Sequence, residues 1–151
     1  MNRQQSHTQD IFPSVVGHHE IKEHLQAALV HDTISHAYLF EGMEGIGKRT
    51  LARQFAKALL CTQPLEGHRP CGKCVSCQTI ASGNHPDVIY LNAGEKASIS
   101  VETIREGLVQ DMSVMPYRSR FKVYIVEEAH RLTVQAQNAM LKTIEEPPEY
   151  A

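Results

Sequence analysis

The chain has 151 residues, 42% of them apolar and 21% charged, and a net charge of −2. That is enough for one domain with a core, and it excludes the polar, highly charged composition of a disordered chain. It also argues against a basic domain that grips nucleic acid by bulk charge, leaving room for a local basic face, and no apolar run approaches the roughly 20 residues of a membrane helix. The opening "MNRQQSHTQD" is polar and has no apolar stretch of a secretory signal. A disordered tail over 1–11 and a cytoplasmic location are therefore expected. Pro13 and Gly17 mark a loop leading into a helix over 18–31, where Ile21, Leu25, Ala28 and Leu29 fall at helical spacing. "AYLF", 37–40, reads as a short buried strand. Glycines follow, and a second helix starts at Lys48 with Leu51, Ala52, Phe55, Ala56 and Leu59 on one face, ending near Cys61.

Residues 62–77 carry Pro64, Gly67, Pro70 and Gly72 and read as a loop module, with a short helix around 74–82. "DVIYL", 87–91, is a strand. Ser100 can cap a helix carrying Val101, Ile104, Leu108 and Met112. "KVYIV", 122–126, is the clearest buried strand. Thr133 can cap a last helix with Ala136, Ala139, Met140 and Ile144, which Pro147 and Pro148 stop. Strands alternating with helices predict an α/β fold with a mainly parallel sheet.

Strand, Gly-rich loop, lysine and helix together are the context of a phosphate-binding Walker A loop, here Gly42-x-x-x-x-Gly47-Lys48. The glycines let backbone N–H groups turn inward onto phosphate oxygens, the helix adds its positive end, and Lys48 adds a point charge. The plainer alternative is a Gly-rich turn with a surface lysine. Gly42, Gly45, Ile46, Gly47, Lys48, Arg49 and Thr50 form the candidate nucleotide-binding set. Arg49 stands where such a loop carries a metal-ligating hydroxyl. Thr50 is one residue on, about 100° around the helix, and cannot simply replace it. A guanidinium repels a cation, so nucleotide binding is expected to survive better than magnesium-assisted hydrolysis.

The strand "VYIV" ends in Glu127 and Glu128, the form of a Walker B element. The first acid would hold magnesium and the second would orient an attacking water. The alternative is two solvated acids at a strand end. Glu127 replaces the usual aspartate, so two metal-side positions depart together, and only Glu128 is well suited to general-base work. Cys61-x9-Cys71-x2-Cys74-x2-Cys77 supplies four soft ligands in a chain without an export signal. Tetrahedral structural zinc fits this set, with an iron–sulfur cluster as its rival. His68 could replace one cysteine, but four already complete a site.

Taken together these residues resemble the clamp-loader branch of the AAA+ ATPases, from about residue 12 to 151. "SHAYLFEGMEGIGKRTLARQFAKALLC" resembles the family's first strand, phosphate loop and helix. The four-cysteine insert resembles the zinc module of bacterial clamp loaders, and "NAMLKTIEEPPEY" the stretch after Walker B. The resemblance implies a P-loop NTPase fold, a three-layer α/β/α domain with a parallel sheet, partial over 12–151, with a zinc module at 61–77. It implies that the loop around Val15, Val16 and Gly17 borders the adenine of ATP. Arg49, Glu127 and "NHPDVIYLNAGEKASIS" are more similar to the delta-prime kind of subunit of DNA polymerase III than to the gamma/tau motor, which remains the alternative. The implied role is to help load a sliding clamp onto primer–template DNA beside gamma/tau and delta subunits, with ATP bound weakly or not at all. It further implies that "AYLF" lacks its usual neighbouring strands, leaving the nucleotide incompletely enclosed and the strand edge liable to self-association. A third reading, a zinc-bearing nucleic-acid binder using Arg69 and Lys73, is disfavoured by the acidic charge and few aromatics.

Overall fold

The computed structural model describes residues 11–63 and 70–151. Most of the expected tail, and Pro64, Gly67, His68 and Arg69 of the cysteine loop, lie outside the described residues. The elements run α1 (His19–His31), α2 (Lys48–Leu59), α3 (Val75–Ala81), β1 (Val88–Leu91), α4 (Val101–Ile104), β2 (Val123–Val126) and α5 (Val134–Glu145). β1 and β2 pair in parallel, with Val88 opposite Val123 and Leu91 opposite Val126. A single bridge between Ile99 and Leu132 extends the contact beyond the strands.

The caps form as expected. Ser100 Oγ accepts from the Thr103 N–H at 3.3 Å, and Thr133 Oγ1 from the Ala136 N–H at 3.2 Å. Each satisfies a helix-end donor that would otherwise be orphaned. The segment after Ser100 differs in type from the single α-helix expected. α4 gives way to a π-helix over Arg105–Gln110 and a 3₁₀ turn over Asp111–Ser113. Ile104, Leu108 and Met112 still face one core with Leu91, Ile99, Leu132 and Ala136. Gly107 lies in the wide turn, where an added Cβ would stand 2.5 Å from Leu91 Cδ2. Gly107→Ala is expected to lower stability by about 1 kcal/mol, the overpacking cost exceeding the gain in helix propensity. A fall in melting temperature that shrinks or disappears when the same change is made in a Leu91→Ala background checks this.

Two further expectations are corrected. Ile21 does not face inward on α1. It is 43% exposed, and the buried stripe is Lys22, Leu25 and Ala28. "AYLF" forms no strand, and among the described residues the sheet has only two strands, not the full central layer of a three-layer sandwich. A strand needs a neighbour to exchange backbone hydrogen bonds, and neither β1 nor β2 lies alongside 37–40. The segment keeps the alternation of a strand. Tyr38 and Phe40 pack on the cluster of Ile11, Phe12, Val15, Leu25, Leu51 and Phe55, while Leu39 is 82% exposed. Tyr38 meets the Phe55 ring edge-on, centroids 5.1 Å apart. A third cluster, of Ala56, Leu60, Ile80, Val88 and Ile125, joins α2 and α3 to the sheet. It sets the start of α2 near the end of β2.

Candidate functional site

Gly42, Gly45 and Gly47 hold φ of 148°, 78° and 98°, values that a residue with a Cβ adopts only under strain. The loop they form enters α2 directly at Lys48, with Gly47 as its N-cap and no acid in the first turn. That leaves the positive end of a 12-residue helix uncompensated by side chains of its own first turn. Lys48 Nζ donates to the carbonyls of Gly42 and Met43 at 2.7 and 2.6 Å. The ammonium thus spans the loop, against neutral acceptors that a phosphate oxygen would outcompete by charge. The 15–18 loop sits beside it. Val15 is buried, its Cγ1 4.0 Å from where a Cβ on Gly47 would be, and Val16 is 91% exposed. Gly17 has φ of 75°, and His18 Nε2 lies 3.2 Å from the Ile46 carbonyl.

The metal side is arranged differently from a magnesium site. Arg49 Nε lies 2.5 Å from Glu127 Oε1, and Arg53 Nη2 lies 3.7 Å from the same oxygen. Glu127 is nearly enclosed, its side chain 10% exposed, while the two arginines stay accessible. Among the described residues no aligned hydrogen bond reaches Oε1, so its compensation is ionic. Arg53 also stacks over Tyr90 of β1, its guanidinium carbon 5.0 Å from the ring centroid. Arg49 and Arg53 are four residues apart and share a face of α2. That spacing is readable in the sequence, although it was the fold that brought Arg53 into the site. One carboxylate between two guanidiniums leaves a net positive cluster, which repels a divalent cation. These residues do not fit a magnesium ion. Thr50 is exposed.

Glu128 is not gathered with Glu127. It holds φ of 54°, an uncommon conformation for a residue other than glycine, and its Oε2 is paired with Arg131 Nη1 at 2.7 Å. Arg131 is fixed in turn by the Ala97 and Lys96 carbonyls. The candidate base therefore has a cationic partner that sequence reasoning missed.

The four cysteines are reduced and converge, every Sγ within 4.8 Å of the others. Cys61 and Cys74 sulfurs are 4.0 Å apart, Cys71 and Cys77 sulfurs 3.9 Å. A tetrahedral zinc with Zn–S of about 2.3 Å requires sulfurs roughly 3.8 Å apart. Gly72, at φ 72°, turns the chain between the first two short-loop ligands. Backbone N–H groups point at the sulfurs: Cys74 at Cys71 Sγ, 3.3 Å, and Cys77 at Cys74 Sγ, 3.4 Å. At Cys74, burial opposes ionisation but N–H donation from Cys77 and contacts from Thr62 outweigh it, lowering the thiol to about 5. Burial pushes the Cys77 and Cys61 thiols up. Four thiolates this close repel one another, so a cation is what lets them ionise together.

A Gly-rich loop feeding a helix, an acid-ended parallel strand facing it and a cysteine cluster define a mixed helix–sheet domain consistent with the N-terminal part of an AAA+ module. The family model described as DNA polymerase III, delta subunit, matches residues 17–151, and the chain belongs to this clamp-loader family. It is similar to DNA polymerase III subunit tau/gamma of Haemophilus influenzae, 42% identical over 139 residues, covering 92% of this chain and 20% of that protein. It is 41% identical over 140 residues to subunit tau of Bacillus subtilis, covering 92% of this chain and 24% of the relative. It is 38% identical over 139 residues to subunit gamma of Buchnera aphidicola, covering 92% and 37%. The chain thus spans between a fifth and a little over a third of these relatives' lengths. No helix among the described residues is long and apolar enough to cross a membrane.

Proposed function

We propose that this chain is part of a delta-prime-like subunit of a clamp loader. It would act beside gamma/tau and delta subunits to place a sliding clamp on primer–template DNA, which it meets only indirectly. In this reading residues 12–151 are part of an AAA+ domain, the four cysteines hold one structural zinc, and the phosphate loop seats ATP weakly through backbone N–H groups while turning it over poorly. The observation that carries it is the 2.5 Å ion pair between Arg49 and Glu127, which puts a fixed cation where a metal-dependent motor needs an open carboxylate. Zinc is supported over an iron–sulfur cluster by sulfurs 3.9 to 4.0 Å apart, a spacing that suits one ion rather than several irons.

The gamma/tau-like motor is the second reading. It is favoured by relatives of 38 to 42% identity that carry the tau and gamma names. Steady-state ATP hydrolysis by the full-length protein with magnesium separates the two. Little turnover is expected from the natural sequence, and a gain of about tenfold or more from Arg49→Thr with Glu127→Asp. Robust turnover before any change leaves the motor as the better account.

A further inference from the structure

The Glu127 cluster does more than weaken a metal site. We propose that the phosphate loop takes a nucleoside di- or triphosphate without a divalent cation, the guanidiniums of Arg49 and Arg53 supplying the positive charge that magnesium supplies in metal-dependent sites. The proposal rests on the reading that the loop still seats nucleotide.

The charge balance carries it. Around Glu127 Oε1 there is one carboxylate, with Arg49 Nε at 2.5 Å and Arg53 Nη2 at 3.7 Å. Lys48 Nζ lies across the same loop, bonded to the Gly42 and Met43 carbonyls, and the first turn of α2 carries no acid. The nearby Glu128 is neutralised by Arg131 at 2.7 Å and adds no net negative charge. Two guanidiniums therefore flank one carboxylate beside the N-terminal end of α2, and Lys48 adds a third cation on the loop, whose own acid is the exposed Glu44. A divalent cation entering this field is repelled, whereas a polyphosphate is attracted.

The geometry is also preorganised. Arg49 reaches Glu127 through Nε, so among the described residues its Nη groups stay uncommitted, and its side chain is 61% exposed. Arg53 is braced from a second direction by the Tyr90 ring, 5.0 Å away. A guanidinium already fixed by a carboxylate loses little freedom when it meets a phosphate oxygen, and its planar fork matches that partner. Glu127 then acts as a positioning residue for the two arginines rather than as a metal ligand.

Calorimetric titration of the full-length protein with ADP and with ATP, in magnesium chloride and again in EDTA, tests this. The natural sequence is expected to bind with dissociation constants that agree within about threefold in the two buffers. Arg49→Thr is expected to lose about tenfold in EDTA, and Arg53→Gln to weaken binding in both buffers, with circular dichroism confirming that each variant is folded. Arg49→Thr with Glu127→Asp should bind more tightly with magnesium than with EDTA. Affinity in the natural sequence that rises tenfold or more with magnesium would overturn metal-free binding while leaving the loop as a nucleotide seat. Absence of binding in both buffers would overturn the seat as well.

Discussion

Stripping metal from the full-length protein with a strong chelator, or replacing Cys77 by serine, is expected to melt the segment from Cys61 to Ala81 before the rest of the domain. Cys61, Cys74 and Cys77 are buried, yet among the described residues the only further apolar side chain packed on their cluster is Cys71. Without the ion, the described residues of this segment would be held by weak S–H contacts and by α3, a helix of seven residues. Structural zinc sites contribute on the order of 10 kcal/mol to folding of their modules, far more than these contacts. Ile80 of α3 packs with Ala56 of α2 and with Leu60 just past its end, so the loss should spread to the end of α2. Metal analysis should give one zinc per chain, and hydrogen exchange should find residues 71–81 deprotected after chelation while β1 and β2 stay protected. A protein with no bound metal and an unchanged exchange pattern under chelator would count against a structural zinc. Iron with visible absorption would favour the iron–sulfur alternative.

Local chemistry was the legible part of this sequence. Ser100 and Thr133 cap their helices because a hydroxyl before an amphipathic run has one good use. α2 begins at Lys48 and both observed strands fall within a residue of the expected bounds, because their apolar runs are bracketed by Gly, Asn, Lys and Glu. Partnership was not legible. "AYLF" has the alternation of a strand, but whether a segment is a strand depends on what lies beside it, which no local pattern records. The π-helix was hidden because Ile104, Leu108 and Met112 recur every four residues, which an α-helix also satisfies. Lys122 opened the expected strand "KVYIV" with no partner legible for its charge. In the fold it is buried, donating to the Asp111 and Val114 carbonyls and pairing with the Asp111 carboxylate at 2.8 Å.

The same limit applied at the site. Arg49 and Glu127 read as two separate departures from a magnesium-binding pattern, 78 residues apart in the chain. Folded, they are one ion pair, each change supplying the other's partner. Arg49 alone would have faced an aspartate made for a metal, and Glu127 alone would have kept only the more distant Arg53, 3.7 Å away. Arg53 completes the arrangement from the next turn of α2, and its i,i+4 spacing from Arg49 was the available signal.

Asp87→Ala is expected to cost about 3 kcal/mol, since it orphans three backbone donors at once. Asp87 is 1% exposed, and its carboxylate accepts from the backbone N–H groups of Tyr117, Arg118 and Ser119, at 2.5, 2.8 and 2.9 Å. Its own carbonyl accepts from the Val123 N–H at 2.8 Å, so one residue fixes both the turn before β2 and the start of the strand pairing. Burial alone would raise its pKa, but the donated N–H groups outweigh this and hold the carboxyl below the usual aspartate value. The unfolded chain therefore binds the proton more readily than the folded one as pH falls past the ordinary carboxylate range. The stability that Asp87 contributes is complete above about pH 4, the unfolded value, and is lost as pH drops toward the folded value. Urea denaturation across this range should give a natural sequence whose midpoint falls on acidification, and an Asp87→Asn variant that is weaker at neutral pH and flatter with pH. Equal midpoints at neutral pH would mean that the turn holds without the carboxylate. Because β2 carries Glu127 at its end, the Asp87→Asn variant should also loosen the pairing of Glu127 with Arg49, read as faster proteolysis after Arg49 and Arg53 by trypsin.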